Sequence, residues 1–185
     1  MGYTHYWRQR TDLNPTQWQR YLEKVRTLLD HLPAHTDSAG GHYVDAPLGL
    51  VGNSDNGEHS PHLDGEVIFL NGDGEHRDGT YLSHEDFVLT RRRRDLYDYE
   101  IREGKTKDGP RGEFCKTARK PYDLVVCALL IVLENDFPEV FSVESDGEPS
   151  EWQPALDWVN ATLRDKAYEH PAGVVPVQAS TRIME

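Results

Sequence analysis

Ten apolar residues follow one another without a charge, from Leu124 to Leu133, and this run constrains the fold most. In water such a segment has to be covered on every side, so it marks the centre of the molecule. It is about half the length a membrane span needs. Ten residues is long for a strand, and Ala128 with the leucines favours a central helix. Pro121 suits the first turn, and Asp136, Phe137 and Pro138 end the pattern, which predicts a helix over 121–135.

Two more helices are predicted. Over 15–32, Asn14 caps, Pro15 suits the first turn, and Gln17 completes a capping-box spacing. Trp18, Tyr21, Leu22, Val25 and Leu29 then fall on one stripe, which Pro33 ends. Over 151–164, Ser150 and Gln153 have capping-box spacing, and Trp152, Leu156, Val159 and Leu163 form the stripe. Strands are predicted over 3–9, 66–70, 86–90 and 140–145, with a short one near Leu48–Val51. The first alternates, setting Tyr3, His5 and Trp7 on one face and Thr4, Tyr6 and Arg8 on the other. Asn71-Gly72 and Asp73-Gly74 read as turns. Residues 34–65 read as loop, 91–113 as a charged insertion or loop, and 171–185 as a tail or edge segment.

Helices do not alternate strictly with strands. That order favours an α+β fold, with a mostly antiparallel sheet and about three helices, over a doubly wound parallel sheet. A chain of 185 residues suits one domain spanning 1–185. Leu22, Val25, Leu29, Val126, Leu129 and Leu156 are the expected core.

The net charge is −12. Such a surface repels duplex nucleic acid and anionic membranes at long range. The charge is uneven, since residues 91–120 carry eleven Lys and Arg against six Asp and Glu. Two readings fit this. One is a loop whose acids and bases pair with one another, Arg92 lying near Asp95 and Asp98. The other is a local site for a small anion. The two cysteines, Cys115 and Cys127, have no metal or redox spacing and read as reduced thiols. With no signal-peptide pattern at the start, a cytoplasmic location is expected.

The chain has no P-loop, no GxSxG elbow, no HExxH and no dinucleotide fingerprint, so no catalytic residue is assigned and no cofactor is expected. The segment Phe114–Asp123 places Lys116, Arg119 and Lys120 with Thr117 just before the predicted central helix. Helix starts attract anions, and arginine binds phosphate with two donors. Tyr122, with Tyr6 and Trp7 on the first strand, would stack on a base. The nine histidines invite a metal reading around His59, His62 and Asp64. The surroundings there are those of an ordinary polar loop, no spacing matches a known site, and no metal is assigned. The stretch 53–57 resembles a calcium loop only loosely, because Asp64 stands where the terminal Glu belongs.

The opening Met1-Gly2-Tyr3-Thr4-His5-Tyr6-Trp7 and the segment FCKTARKPYD at 114–123 together resemble a group of uncharacterised phage and bacterial proteins. His84–Leu89 and Ile68–Gly72 look like the same group. The group carries no established activity. Small phage proteins often counter host defence, and some sequester nucleotide signals, so the resemblance implies a sponge for a host immune signal. The four-arginine insertion is peculiar to this sequence and takes no role from the group.

The expected function is non-enzymatic binding of a small anionic, nucleotide-derived ligand. The expected ligand-binding residues are Lys116, Thr117, Arg119, Lys120, Tyr122, Tyr6 and Trp7, in a homodimer. Two alternatives stand beside it. One is a hydrolase of nucleotides or phosphoesters, with His5 or His84 as base and Glu85 or Asp86 orienting it. The other is a protein-interaction factor using the acidic surface.

Overall fold

Residues 2–37, 41–53 and 56–176 are described by a computed structural model of the chain. The chain opens with strand β1 (Thr4–Gln9), then helix α1 (Pro15–Asp30). Short strands β2 (His35–Thr36), β3 (Ala46–Pro47), β4 (Gly49–Val51) and β5 (His62–Leu63) lead into β6 (Val67–Asp73) and β7 (Phe87–Thr90). Helix α2 (Asp98–Arg102), strand β8 (Arg111–Lys116), helix α3 (Asp123–Asp136), strand β9 (Phe141–Ser145) and helix α4 (Pro149–Thr162) complete the order.

The alternating residues of β1 make it the middle strand of an antiparallel sheet ordered β8-β1-β9. Tyr3, His5 and Trp7 are buried, while Tyr6 and Arg8 are exposed. In a second sheet β6 pairs antiparallel with β4, β5 and β7. The two sheets share one core, in which the rings of Trp7 and Phe87 lie 5.3 Å apart. The result is a single α+β domain with antiparallel sheets.

Helix α3 runs through the centre, as its composition demands, and Val125 to Leu133 are buried without exception. The capping box forms on α1, with Gln17 N donating to Asn14 Oδ1 at 2.8 Å and Asn14 N to Gln17 Oε1 at 3.0 Å. Leu22, Val25, Val126, Leu129 and Leu156 are buried, and Leu29 packs partly covered at the edge.

Three expectations differ from the fold, and one alternative left open is decided. Helix α4 begins at Pro149, ahead of Ser150, and its first-turn contact is Glu148 N donating to Glu151 Oε2 at 3.0 Å. Asn71 and Gly72 lie inside β6, and the turn comes at the second signal, where Gly74 has φ +94. The charged insertion contains α2 and the first half of β8, an edge strand whose Cys115 side chain points inward. Among residues 171–185, Gly173 bridges Glu144 in parallel and Val174 is buried, which is the edge-segment reading. The tail beyond 176 lies outside the described residues, as do Met1 of the opening motif and residues 54–55 of the calcium-like stretch.

Arginines 91 to 94 are paired. Arg91 and Arg92 both reach Glu66, at 2.7 and 3.1 Å, rather than Asp95 or Asp98. Arg93 meets Asp12 at 3.2 Å, and Arg94 holds Glu100 at 2.6 Å and also contacts Glu113. Among the described residues no helix is long and apolar enough to cross a membrane.

Candidate functional site

The sheet β8-β1-β9 buries one face and leaves the other open, and the two faces carry different chemistry. Antiparallel register decides what meets on each. Thr4 pairs with Lys116, Tyr6 with Phe114 and Arg8 with Gly112; Tyr6, Arg8 and Phe114 are exposed, while Thr4 at the end of the strand is buried. On the far side Tyr6 faces Glu144 and Arg8 faces Ser142. Tyr6 is 41 % exposed and Phe114 60 %. Two exposed aromatic residues directly opposite on neighbouring strands make an apolar pair. Arg8 and Lys116 flank it, and neither has an ion-pair partner among the described residues. A groove of about 290 Å³ runs between Tyr6, Arg8, Phe114, Ser142 and Glu144.

The inner face is closed and polar at one end. His5 Nε2 lies 2.6 Å from Asp123 Oδ1, and Thr117 Oγ1 donates to the same oxygen at 2.5 Å. Cys127, one helical turn after Asp123, sits with Sγ 3.6 Å from His5 Nε2 and 3.7 Å from Asp123 Oδ2. His5 Nδ1 meets Ser145 Oγ at 2.8 Å. That oxygen also accepts from Gly147 N at 2.8 Å and Trp152 Nε1 at 3.2 Å. With both lone pairs used, the Ser145 hydroxyl hydrogen points to His5 Nδ1, so the neutral ring carries its proton on Nε2, toward Asp123. Burial, and then the Asp123 carboxylate, push the Cys127 thiol well up, which keeps it protonated in the absence of a cation. A cleft of about 300 Å³ reaches Asp123 and Cys127 from the surface, past Lys120, Ser150, Glu151 and Pro154.

Of the seven residues expected to bind a ligand, Tyr6 and Lys116 come together on the open face. Trp7 alternates inward and is 3 % exposed. Thr117 is buried on Asp123. Tyr122 is fully buried, with its hydroxyl donating to Glu85 O at 2.7 Å, and leaves no ring face for a base. Arg119 Nε donates to Glu151 Oε1 at 2.9 Å. Lys120 Nζ donates to Tyr43 Oη at 2.8 Å and Tyr81 O at 2.6 Å. The two latter cations are therefore engaged within the protein.

The groups considered for a hydrolase are engaged with other partners. His5 is buried on the inner face, Glu85 Oε2 accepts from Lys116 N at 2.8 Å, and Asp86 Oδ1 accepts from Asn71 Nδ2 at 2.8 Å. In the histidine-rich loop His62 bridges Glu58 at 3.1 Å and Asp64 at 2.8 Å. Cys115 is buried, and desolvation raises its thiol, so it is not activated by Lys116.

Sequence reasoning missed Phe114 and Arg8 as partners of Tyr6, and it missed the meeting of His5, Asp123 and Cys127. For the second set a signal existed. Asp123 and Cys127 are four apart at the start of an otherwise apolar helix, and His5 points inward by the period of β1. What was missing was the pairing of β1 over α3, which is a long-range fact. Compared with known proteins, the chain matches no family model, no curated protein and no solved structure.

Proposed function

We propose that this chain binds a small anionic, nucleotide-derived ligand on the open face of its sheet and does not turn it over. The observation that carries the reading is the Tyr6–Phe114 pair, two exposed aromatic rings held opposite each other by the β1–β8 register. A base stacks on an exposed aromatic ring irrespective of its identity, at about 1–3 kcal/mol per base. Arg8 and Lys116 lie one register step to either side of the pair, where they reach phosphate oxygens. Glu144 is the acid on this face and, with the net charge of −12, turns away long polyanions while leaving room for a small one. A sponge that removes a nucleotide immune signal is the form of this function that the phage-group resemblance suggests. A homodimer closing two such faces over the ligand is the assembly that suits it.

Protein purified from cells, heat-denatured and analysed by mass spectrometry for released small molecules, identifies the ligand. Recovery of an intact nucleotide, with affinity lost in Tyr6→Ala, Phe114→Ala and Arg8→Ala, is the expected result. Those three variants stay folded, because the residues are exposed. A new product from added nucleotide would make the chain a hydrolase, and unchanged affinity in all three would move the site off this face. Light scattering with and without the ligand reads the dimer.

A further inference from the structure

Three ligand atoms of three kinds converge beneath the sheet: an imidazole nitrogen of β1, and a carboxylate oxygen and a sulfur of α3. All lie within 4.8 Å of one another at His5, Asp123 and Cys127, the one such group of His, Cys and acidic ligands among the described residues. We propose that His5, Asp123 and Cys127 bind a divalent cation of the zinc class, with an open coordination position facing the cleft between α3 and α4.

The arrangement is not a nucleophile relay. A relay is a chain, in which one ring nitrogen takes the thiol proton and the other is held by the carboxylate. Here thiol and carboxylate both face Nε2, and Nδ1 is occupied by Ser145. Convergence on one point is the geometry of coordination. A tetrahedral zinc with bonds of about 2.0–2.3 Å separates neighbouring ligand atoms by about 3.3–3.6 Å. The two sulfur distances, 3.6 and 3.7 Å, are near that range. The sulfur meets the carboxylate at Oδ2, whereas His5 Nε2 meets its other oxygen, Oδ1, at 2.6 Å, and that hydrogen bond is the one a cation would replace. Sulfur, imidazole and carboxylate together select zinc over magnesium or calcium, and a thiolate with a carboxylate balances the charge of the ion.

The outer atoms of the set are also held, as they are around bound metals. Ser145 meets His5 Nδ1 and Thr117 meets Asp123. Loading the ion releases the Cys127 thiol proton to solvent through the cleft and moves the imidazole proton from Nε2 to Nδ1, where Ser145 accepts it and the longer Trp152 contact gives way. A second observation is independent of the ligands. The Tyr3 hydroxyl is buried with no hydrogen-bond partner, and its ring stands edge-on to His5 at 5.0 Å. Its oxygen lies against Gly147, and an unpaired buried donor on a ring that packs on His5 is what a water or anion held next to the ligand set would satisfy.

The test uses the full chain, stripped with chelator and titrated with Co2+ and then Zn2+. Expected is one equivalent of Co2+ with a thiolate-to-cobalt charge-transfer band, displaced by Zn2+, together with a rise in Tm on adding Zn2+. The band persists in Cys115→Ser and is absent in Cys127→Ser. Persistence in Cys115→Ser assigns the sulfur to Cys127 even if Cys127→Ser fails to fold. Cobalt uptake without a sulfur band, a band that survives Cys127→Ser, or no uptake at all overturns the proposal. None of these outcomes bears on ligand binding at the opposite face of the sheet.

Discussion

Arg119 stacks on Tyr3, its guanidinium carbon 4.1 Å from the ring centroid, while its Nε holds Glu151. The residue that sequence alone marks as the best phosphate binder is thus a clasp between the loop after β8, the first strand and α4. Replacing it with alanine removes a cation–π contact and a partly exposed ion pair, for an expected loss of about 1–2 kcal/mol of stability. Ligand affinity should stay unchanged in Arg119→Ala and fall in Arg8→Ala. Urea unfolding and calorimetry on the same two variants separate the roles, and a ligand-binding defect in Arg119→Ala would return the site to the basic segment.

Ala118 and Arg119 both have positive φ, +52 and +57, so this clasp stands on two left-handed residues in succession. That conformation costs a residue with a Cβ about 1–2 kcal/mol, against a smaller entropic cost for glycine. Ala118→Gly should therefore stabilise the protein by roughly 0.5–1 kcal/mol. A variant less stable than wild type in urea would mean that the Ala118 methyl packs more than its backbone strains.

The 91–113 segment should loosen in acid. Glu100 accepts from Arg94 Nη1 at 2.6 Å, Tyr97 N at 3.0 Å and Lys105 Nζ at 3.2 Å. These contacts, Arg94 first, lower its carboxyl from 4.5 to about 2. A lowered carboxylate contributes stability that is complete above its unfolded value and disappears as the pH falls through the folded one. Wild type should therefore lose this contribution progressively between about pH 4.5 and pH 2. Glu100→Gln should be the less stable protein at pH 6, with the gap narrowing as the pH approaches the lower limit. A gap that is constant across this range, in urea melts at several pH values, would show that the carboxylate charge does not hold the segment.

Local rules account for much of this fold, and long-range pairing accounts for the rest. The burial of α3 follows from its apolar run, and the inward turn of Tyr3, His5 and Trp7 follows from alternation. The capping box on α1 also forms as its residues dictate. By contrast, β8 was hidden because Arg111, Glu113 and Lys116 look like solvated loop. It becomes a strand only because β1 offers an edge, and Arg94 waits for Glu113. The candidate sites show the same division. Tyr6 and Lys116 were legible as an aromatic and a cation. That they share a face with Phe114 and Arg8 depends on a register over 100 residues apart in sequence. Tyr122 and Lys120 misled because exposure cannot be read from residue type.

Gly72 is the clearest case of a local signal whose purpose is tertiary. After Asn71 it reads as a turn, yet it lies in β6 with no positive φ. Its reason is close approach. A Cβ there would come within 2.2 Å of Leu82 O and 2.8 Å of Tyr122 Cδ1. Neither neighbour can easily yield. Leu82 N donates to Gly74 O at 2.9 Å, and the buried Tyr122 ring is pinned through its hydroxyl to Glu85 O. Asn71 closes the same turn, with Nδ2 donating to His84 O at 2.9 Å and Oδ1 accepting from His84 N at 3.1 Å. Gly72→Ala should therefore push the 82–86 segment off β6 and cost about 2–3 kcal/mol, the upper part of the range for overpacking. The loss should appear in urea unfolding with an unchanged m-value, and hydrogen exchange should rise first at the amides of Leu82 and His84. A Gly72→Ala protein as stable as wild type would mean that this segment moves aside freely and does not brace the Tyr122 end of α3.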